Sequence, residues 1–389
     1  MRQVERIIVG KWASGIWILL LLAGCSPQQA PQFSPSGDMR SMANDAADDD
    51  ERKLLEKLQQ QIETELAQRF GTPTAPIVFG DPKADRTNLA RGAQVFAYRC
   101  QQCHGVNGDG QGPVAKYLSP PPRDYTKGIF KFTSTPYGAK PRRADLLRTL
   151  RQGVHGTSMP SFDDLDPEDL NAVADYVMYL SQRGEFGQQL VALAKDELEL
   201  PPATIQSSVD AIGDRWKEAQ TQVVMPATPM PAMTPETIAK GQALFLQQVC
   251  NKCHGADGRG GLAGNIDIGK DAWGHSGAAA DLTSGMYRGG GRPVDIYRRI
   301  YSGINGTPMP GFAQAFANDP DNIWYLVHFV RDTGERRRRN LPPPATPDAA
   351  VPPPAVPSTP PPTEAPPAAE VKDAAATDRA TAANLAPRT

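Results

Sequence analysis

The sequence predicts a mainly α-helical protein: two small tandem domains joined by a helical hairpin, with an irregular tether before them and a Pro/Ala-rich tail after. Three observations predict this. Apolar residues recur at helical spacing, two long stretches repeat each other at a fixed offset, and the chain ends in a run too poor in apolar surface to fold. The 389 residues are 22% charged and 40% hydrophobic, enough for two or three domains of ordinary size. Gly 35 and Pro 38 make 73 of 389, about 19% against a usual share of roughly 12%, so part of the chain is linker. A formal net charge of −2 excludes a strongly basic nucleic-acid binder. Five cysteines are too few and too oddly placed for a disulfide scaffold.

Residues 1–24 read as an export signal. Arg2, Arg6 and Lys11 precede the apolar run Ile16–Ala23, a basic n-region followed by a short h-region. That run falls well short of the ~20 residues that span a bilayer. Leu22-Ala23-Gly24-Cys25 resembles a bacterial lipobox, which implies that Cys25 is lipidated and becomes the new N-terminus. Loss of residues 1–24 removes three basic side chains and one acidic, moving the net charge from −2 to −4.

Residues 25–50 are polar and irregular, a tether. Within 51–70, Leu54, Leu55, Leu58, Ile62 and Leu66 fall at helical spacing and predict one amphipathic helix. Residues 87–182 and 235–334 form the two compact units. Between them, 183–234 contain Glu185–Leu200 and Ser207–Val224, parted by Pro201-Pro202. Val209, Ile212, Trp216 and Val223 keep a 3–4 spacing, so a helical hairpin is expected there, packing on the domains and fixing their separation. Residues 335–339 carry the basic cluster Arg336–Arg339. From Leu341 to Thr389 there are 14 Pro and 14 Ala among 49 residues. Such a stretch cannot bury enough apolar surface to offset its ordering entropy and is expected to be an extended spacer.

The two units are copies. Cys100-Gln101-Gln102-Cys103-His104-Gly105 matches Cys250-Asn251-Lys252-Cys253-His254-Gly255. Gly156-Thr157-Ser158-Met159-Pro160 matches Gly306-Thr307-Pro308-Met309-Pro310. The offset is 150 throughout, and 55 residues separate His from Met in both. Toward the last apolar helices, Leu170–Leu180 and Ile323–Val330, it becomes 153.

CxxCH is the attachment signal for c-type haem. Two thiols two residues apart at the end of a helix can bond to the two haem vinyl groups, and the next His supplies an iron ligand. Two haems would use all four of these cysteines and leave only Cys25. Met159 and Met309 are the natural ligands for the opposite faces. A neutral thioether favours Fe(II) and raises the potential, and with both axial positions filled such an iron transfers electrons rather than binding substrate. A zinc site would explain neither the His after each second Cys nor the paired GTxMP turns, and a thioredoxin-like CxxC would need a βαβ setting.

These motifs resemble class I c-type cytochromes, here a two-domain, di-haem form with a lipoprotein signal. The resemblance covers roughly 200 residues. It implies that N- and C-terminal helices of each unit cross above the haem: Arg91–Tyr98 with Leu170–Leu180, and Lys240–Gln247 with Ile323–Val330. Phe96 would then pack on Tyr176, and Phe245 on Phe329. The central hairpin, the tail and the glycine-rich loop Arg288–Arg292 depart from the minimal pattern.

Other polar residues carry weaker signals. His155 is four residues before Met159 and could replace it, but Asn305 stands there in the second copy, so a solvent-facing loop is expected. His275 lies beside Trp273 in a Gly-rich loop. His328 aligns with Asp175 and is expected to face solvent. Arg123, Tyr125, Trp273, Tyr287 and Arg288 are of the type that holds haem propionates. From Lys116 to Arg151 nine basic residues stand against two acidic, which predicts docking of an acidic partner by electrostatic steering.

The expected function is electron transfer by a non-enzymatic carrier, held by lipid to a membrane and facing the periplasm. Its partners would be redox proteins of the cell envelope: a quinol-oxidising complex, a terminal oxidase or another reductase. The alternatives are a di-haem cytochrome c peroxidase-like enzyme, against which the paired GTxMP turns argue, or the haem subunit of a larger oxidoreductase.

Overall fold

The computed structural model describes residues 30–263 and 267–342, all within one compact unit. The export signal, Cys25 and the Pro/Ala-rich tail lie outside the described residues. The described chain is helical, with only two isolated bridges, Gly71–Pro76 and Lys270–Ser276, outside helices, turns and loops. No helix among the described residues is long and apolar enough to cross a membrane.

The segment expected to be an irregular tether contains helical turns. It forms the short helix α1 (Gly37–Ser41) and a 3-10 turn, Met42–Asp45. Met39 and Met42 are fully buried, and Phe33 lies under the Arg183 guanidinium, 4.0 Å from the ring centroid. Two methionines among polar neighbours show no helical period, so only tertiary packing reveals them. Helix α2 (Asp49–Phe70) starts where Asp48 caps the Asp50 and Glu51 amides and buries Leu55, Leu58, Ile62, Leu66 and Phe70 on one face. Leu54 points outward.

The first repeat begins with α3 (Thr87–Arg99) and the one-turn helix α4 (Gln101–His104), and continues through α5 (Arg143–Gln152) to α6 (Pro167–Glu197). Asp166 caps α6 and Pro167 sits at its first turn. Helix α6 runs for 31 residues, so it continues past residue 182, and the hairpin arm expected from Glu185 is its C-terminal part. The polar run Ser181–Glu185 looks like a break in sequence. Gly184 instead serves close approach, because a Cβ there would collide with Thr126. The extension buries Phe186, Leu190, Val191 and Ala194 in a core shared with α2 and with α7 (Pro202–Glu218), whose Val209, Ile212 and Trp216 are buried. The linker helices thus enlarge the first domain.

The second repeat uses α8 (Pro235–Gln247), the one-turn helix α9 (Asn251–His254), α10 (Pro293–Ser302) and α11 (Asp321–Arg338) around its own core. Thr234 and Thr237 form a reciprocal cap at α8. Both domains solve the same crossing problem in the same way. A Cβ on Gly92 of α3 would strike the Ala172 carbonyl of α6, and one on Gly241 of α8 the Tyr325 carbonyl of α11. Glycine at these positions lets the backbones touch. Phe96 and Tyr176 then meet at 5.3 Å between ring centroids, and Phe245 and Phe329 at 5.0 Å, as the helix pairing implied.

The basic run at 336–339 forms the last turn and C-cap of α11. Arg336 pairs with Asp332, Arg337 with Asp281, and Arg338 and Arg339 with Glu335.

Candidate haem-binding sites

Each CxxCH begins where the first long helix of its domain ends. Cys100 and Cys250 sit in the joints before α4 and α9, and their amides donate to Phe96 and Phe245 carbonyls. The single turn that follows carries the second thiol and the histidine. Gly105 and Gly255 end it with φ near +75° and +71°, where a side chain would be strained. None of these four cysteines is in a disulfide. Burial raises Cys100 to about 12 and Cys250 to about 11, so both are neutral.

Nδ1 of His104 lies 3.0 Å from the Arg123 carbonyl, and Nδ1 of His254 lies 3.1 Å from the Ala280 carbonyl. A carbonyl only accepts, so Nδ1 carries the proton and Nε2 keeps its lone pair for a metal. Burial also favours the neutral ring, lowering His104 to about 4 and His254 in the same direction. The Tyr125 hydroxyl donates to the free Nε2 of His104 at 3.0 Å, with its ring stacked 4.6 Å from the imidazole. An unprotonated Nε2 next to two cysteines fits a covalently held haem iron in each domain.

The carbonyls that tether the histidines belong to a second repeat. Thr126 donates from its amide and hydroxyl to Asp124, and Thr283 does the same to Asp281. Tyr125 and Leu282 then bond back to Gly108 and Gly258. The Asp-x-Thr signal is present in both copies, but its offset is 157. A longer loop in the second copy hides it from a fixed-offset comparison.

Met159 and Met309 are half-buried in turns of matching geometry. In each, the Thr hydroxyl accepts from the Met amide (3.1 and 3.3 Å) and donates to the carbonyl three residues back. The Met carbonyl accepts from Val154 or Ile304. Met159 and Cys100 both border the first core. His155 is exposed, and its counterpart Asn305 is buried, accepting from the Gly138 amide. His275 is exposed beside Asp271.

One expectation fails. His328 is fully buried, its Nδ1 3.0 Å from the Thr237 hydroxyl, because α11 turns that position toward α8. Much of the basic stretch 116–151 is engaged within the chain. Lys131 pairs with Asp271, Lys140 with Glu185, Arg143 with Asp175 and Arg148 with Asp295. Lys127 donates to the Ala272 carbonyl, Arg142 to that of Gln220, and Arg123 stacks on Trp273.

A histidine made ready for iron beside two thiols, under a pair of crossing helices, defines a small helical haem protein. The cytochrome c family model matches residues 89–181 and 238–334, the two copies described above. The chain belongs to the cytochrome c family and carries two of its domains, a family that holds haem c covalently and transfers electrons. Among solved structures, a chain of the reducing HAO-like protein complex of Kuenenia stuttgartiensis aligns at 30% identity. The alignment covers 62% of this chain and 95% of that one, with a TM-score of 0.49. No curated protein matches the sequence.

Proposed function

We propose that this chain is a lipid-anchored di-haem electron carrier of the cell envelope. Cys100 and Cys103 hold one haem through thioethers and Cys250 and Cys253 the other. His104 with Met159, and His254 with Met309, are the axial pairs. Cys25 carries the lipid and keeps the domains at the periplasmic face of a membrane. There they relay electrons between a quinol-oxidising complex and a terminal oxidase or another envelope reductase.

The observation that carries this reading is the duplicated histidine. In both domains Nδ1 is tied to a main-chain carbonyl, which aims the lone pair of Nε2 and raises its basicity toward iron. The matched methionine turns supply a neutral soft donor that favours the reduced iron. With both axial positions taken, the iron exchanges electrons without binding substrate.

A redox-poised optical spectrum of the purified protein tests this, repeated with carbon monoxide. Two haems per chain, each with the weak long-wavelength methionine–iron band when oxidised and inert to carbon monoxide when reduced, are expected. A haem that lacks that band and binds carbon monoxide would give the protein an open iron and overturn the carrier reading.

A further inference from the structure

We infer that Trp273 is the contact through which electrons pass between the two haem sites, an assignment that rests on the two-haem reading above. Trp273 lies on a loop of the second domain, but its indole is held mainly by the first. Nε1–H donates to the Asp124 carbonyl at 3.2 Å, and the Arg123 guanidinium lies 3.7 Å from the ring centroid. Asp124 lies between the two residues that meet His104. The Arg123 carbonyl accepts from its Nδ1, and Tyr125, next after Asp124, stacks on its ring.

The other edge of the indole abuts the methionine turn of the second domain. A Cβ on Gly306 would lie only 2.8 and 2.9 Å from two ring carbons of Trp273, so glycine is what lets the indole reach the turn. The neighbouring Ala272 amide donates to the Gly306 carbonyl at 2.9 Å. Met309 follows three residues later. One contiguous chain therefore runs from His104 through the Arg123–Asp124 main chain and the indole to the turn that bears Met309. These contacts form a continuous path of bonded and packed atoms between the two sites.

The loop is clamped in place by charge. Asp271 pairs with Lys131 at 3.0 Å, and Lys127 holds the Ala272 carbonyl at 2.8 Å. In the transfer one electron leaves one site and arrives at the other, so one iron is oxidised as the other is reduced. No proton moves, and the indole keeps its N–H.

The test uses the full-length, haem-loaded protein. Pyridine haemochrome analysis first counts covalent haem, and fewer than two per chain would remove the two-haem reading and this inference together. The indole N–H of Trp273 is then assigned by its loss from the proton NMR spectrum in Trp273→Phe. It should broaden or shift on oxidation of each haem in turn, and a resonance blind to either haem overturns the assignment. NMR exchange spectroscopy of half-reduced protein gives the rate between the haems. Trp273→Ala should slow it clearly and Trp273→Phe less, with both midpoint potentials unchanged. Arg148→Met, which loosens the domain interface without touching the indole, should leave it near wild type. An unchanged rate in Trp273→Ala, or equal slowing in Arg148→Met, would show that domain separation sets the rate and overturn the inference.

Discussion

Asp145 and Asp295 occupy the same position of the two copies, 150 residues apart, yet one closes a loop and the other joins the domains. Asp145 accepts from the Ser134 amide and hydroxyl and from the Arg142 amide, all within its own domain. Asp295 takes Arg292 of its own domain and Arg148 of the other, at 2.8 and 3.0 Å. Nearby, Arg299 donates to the carbonyls of Lys131 and Thr133, and the Arg298 guanidinium reaches the Val224 carbonyl. Duplication supplied two equivalent carboxylates, and the interface took over one of them.

Replacing Asp295 by alanine strands Arg148 in that interface and should lower stability by about 3 kcal/mol, measured by denaturant unfolding. Burial alone would raise the pKa of Asp295, but the hydrogen bond from Arg292 and the charges of Arg148, Arg292 and Arg298 outweigh it and hold the carboxyl below its usual range. Its contribution is complete above the unfolded value of about 3.9. It disappears as pH falls through the lower folded value. Asp295→Asn should therefore flatten the acid limb of stability against pH, and an unaltered limb would contradict the clasp.

Gly92→Ala and Gly241→Ala each push a methyl group into a facing carbonyl and should destabilise by about 1–3 kcal/mol. Gly213, inside α7, has nothing within 4 Å of a built Cβ. Gly213→Ala should stabilise by roughly 0.5–1 kcal/mol. Thermal unfolding of the three variants checks the sign of each.

His328 resists protonation, first because it is buried and then because Arg331 is near. The unfolded residue takes a proton at about pH 6.5, so below that pH the unfolded state gains a proton that the folded state refuses, and stability falls. Above it the effect vanishes. His328→Asn should lose less stability than wild type between roughly pH 7 and pH 5. Parallel pH profiles of the two proteins would contradict this.

Met159→Ala and Met309→Ala should each open one iron while the thioethers persist. Optical titration of the reduced variants with carbon monoxide should then show uptake by one haem of the two, with a lowered midpoint potential at that haem. Uptake by neither would mean that another side chain fills the position.

Cys25→Ala should release the protein from the membrane fraction without changing its haem spectrum. Retention of the variant in washed membranes would point to an anchor other than lipid.

The parts legible in the sequence are those fixed by chemistry over short distances. CxxCH needs its residues within one helical turn, and the GTxMP turn closes on its own threonine. Both repeat at one offset, and the resemblance they carried implied the meeting of Phe96 with Tyr176 and of Phe245 with Phe329. Tertiary structure decided what depends on residues far apart in the chain. Gly184 continues a helix because Thr126 lies against it, Met39 and Met42 are buried because α2 and α6 offer a core, and α11 turns His328 inward. The basic run 116–151 looked like a docking face because its carboxylate partners lie mostly in distant segments: Asp175, Glu185, Asp271 and Asp295. Trp273 gave no sign of its position, since an indole is defined by what it touches, and both edges of this one touch residues remote in sequence.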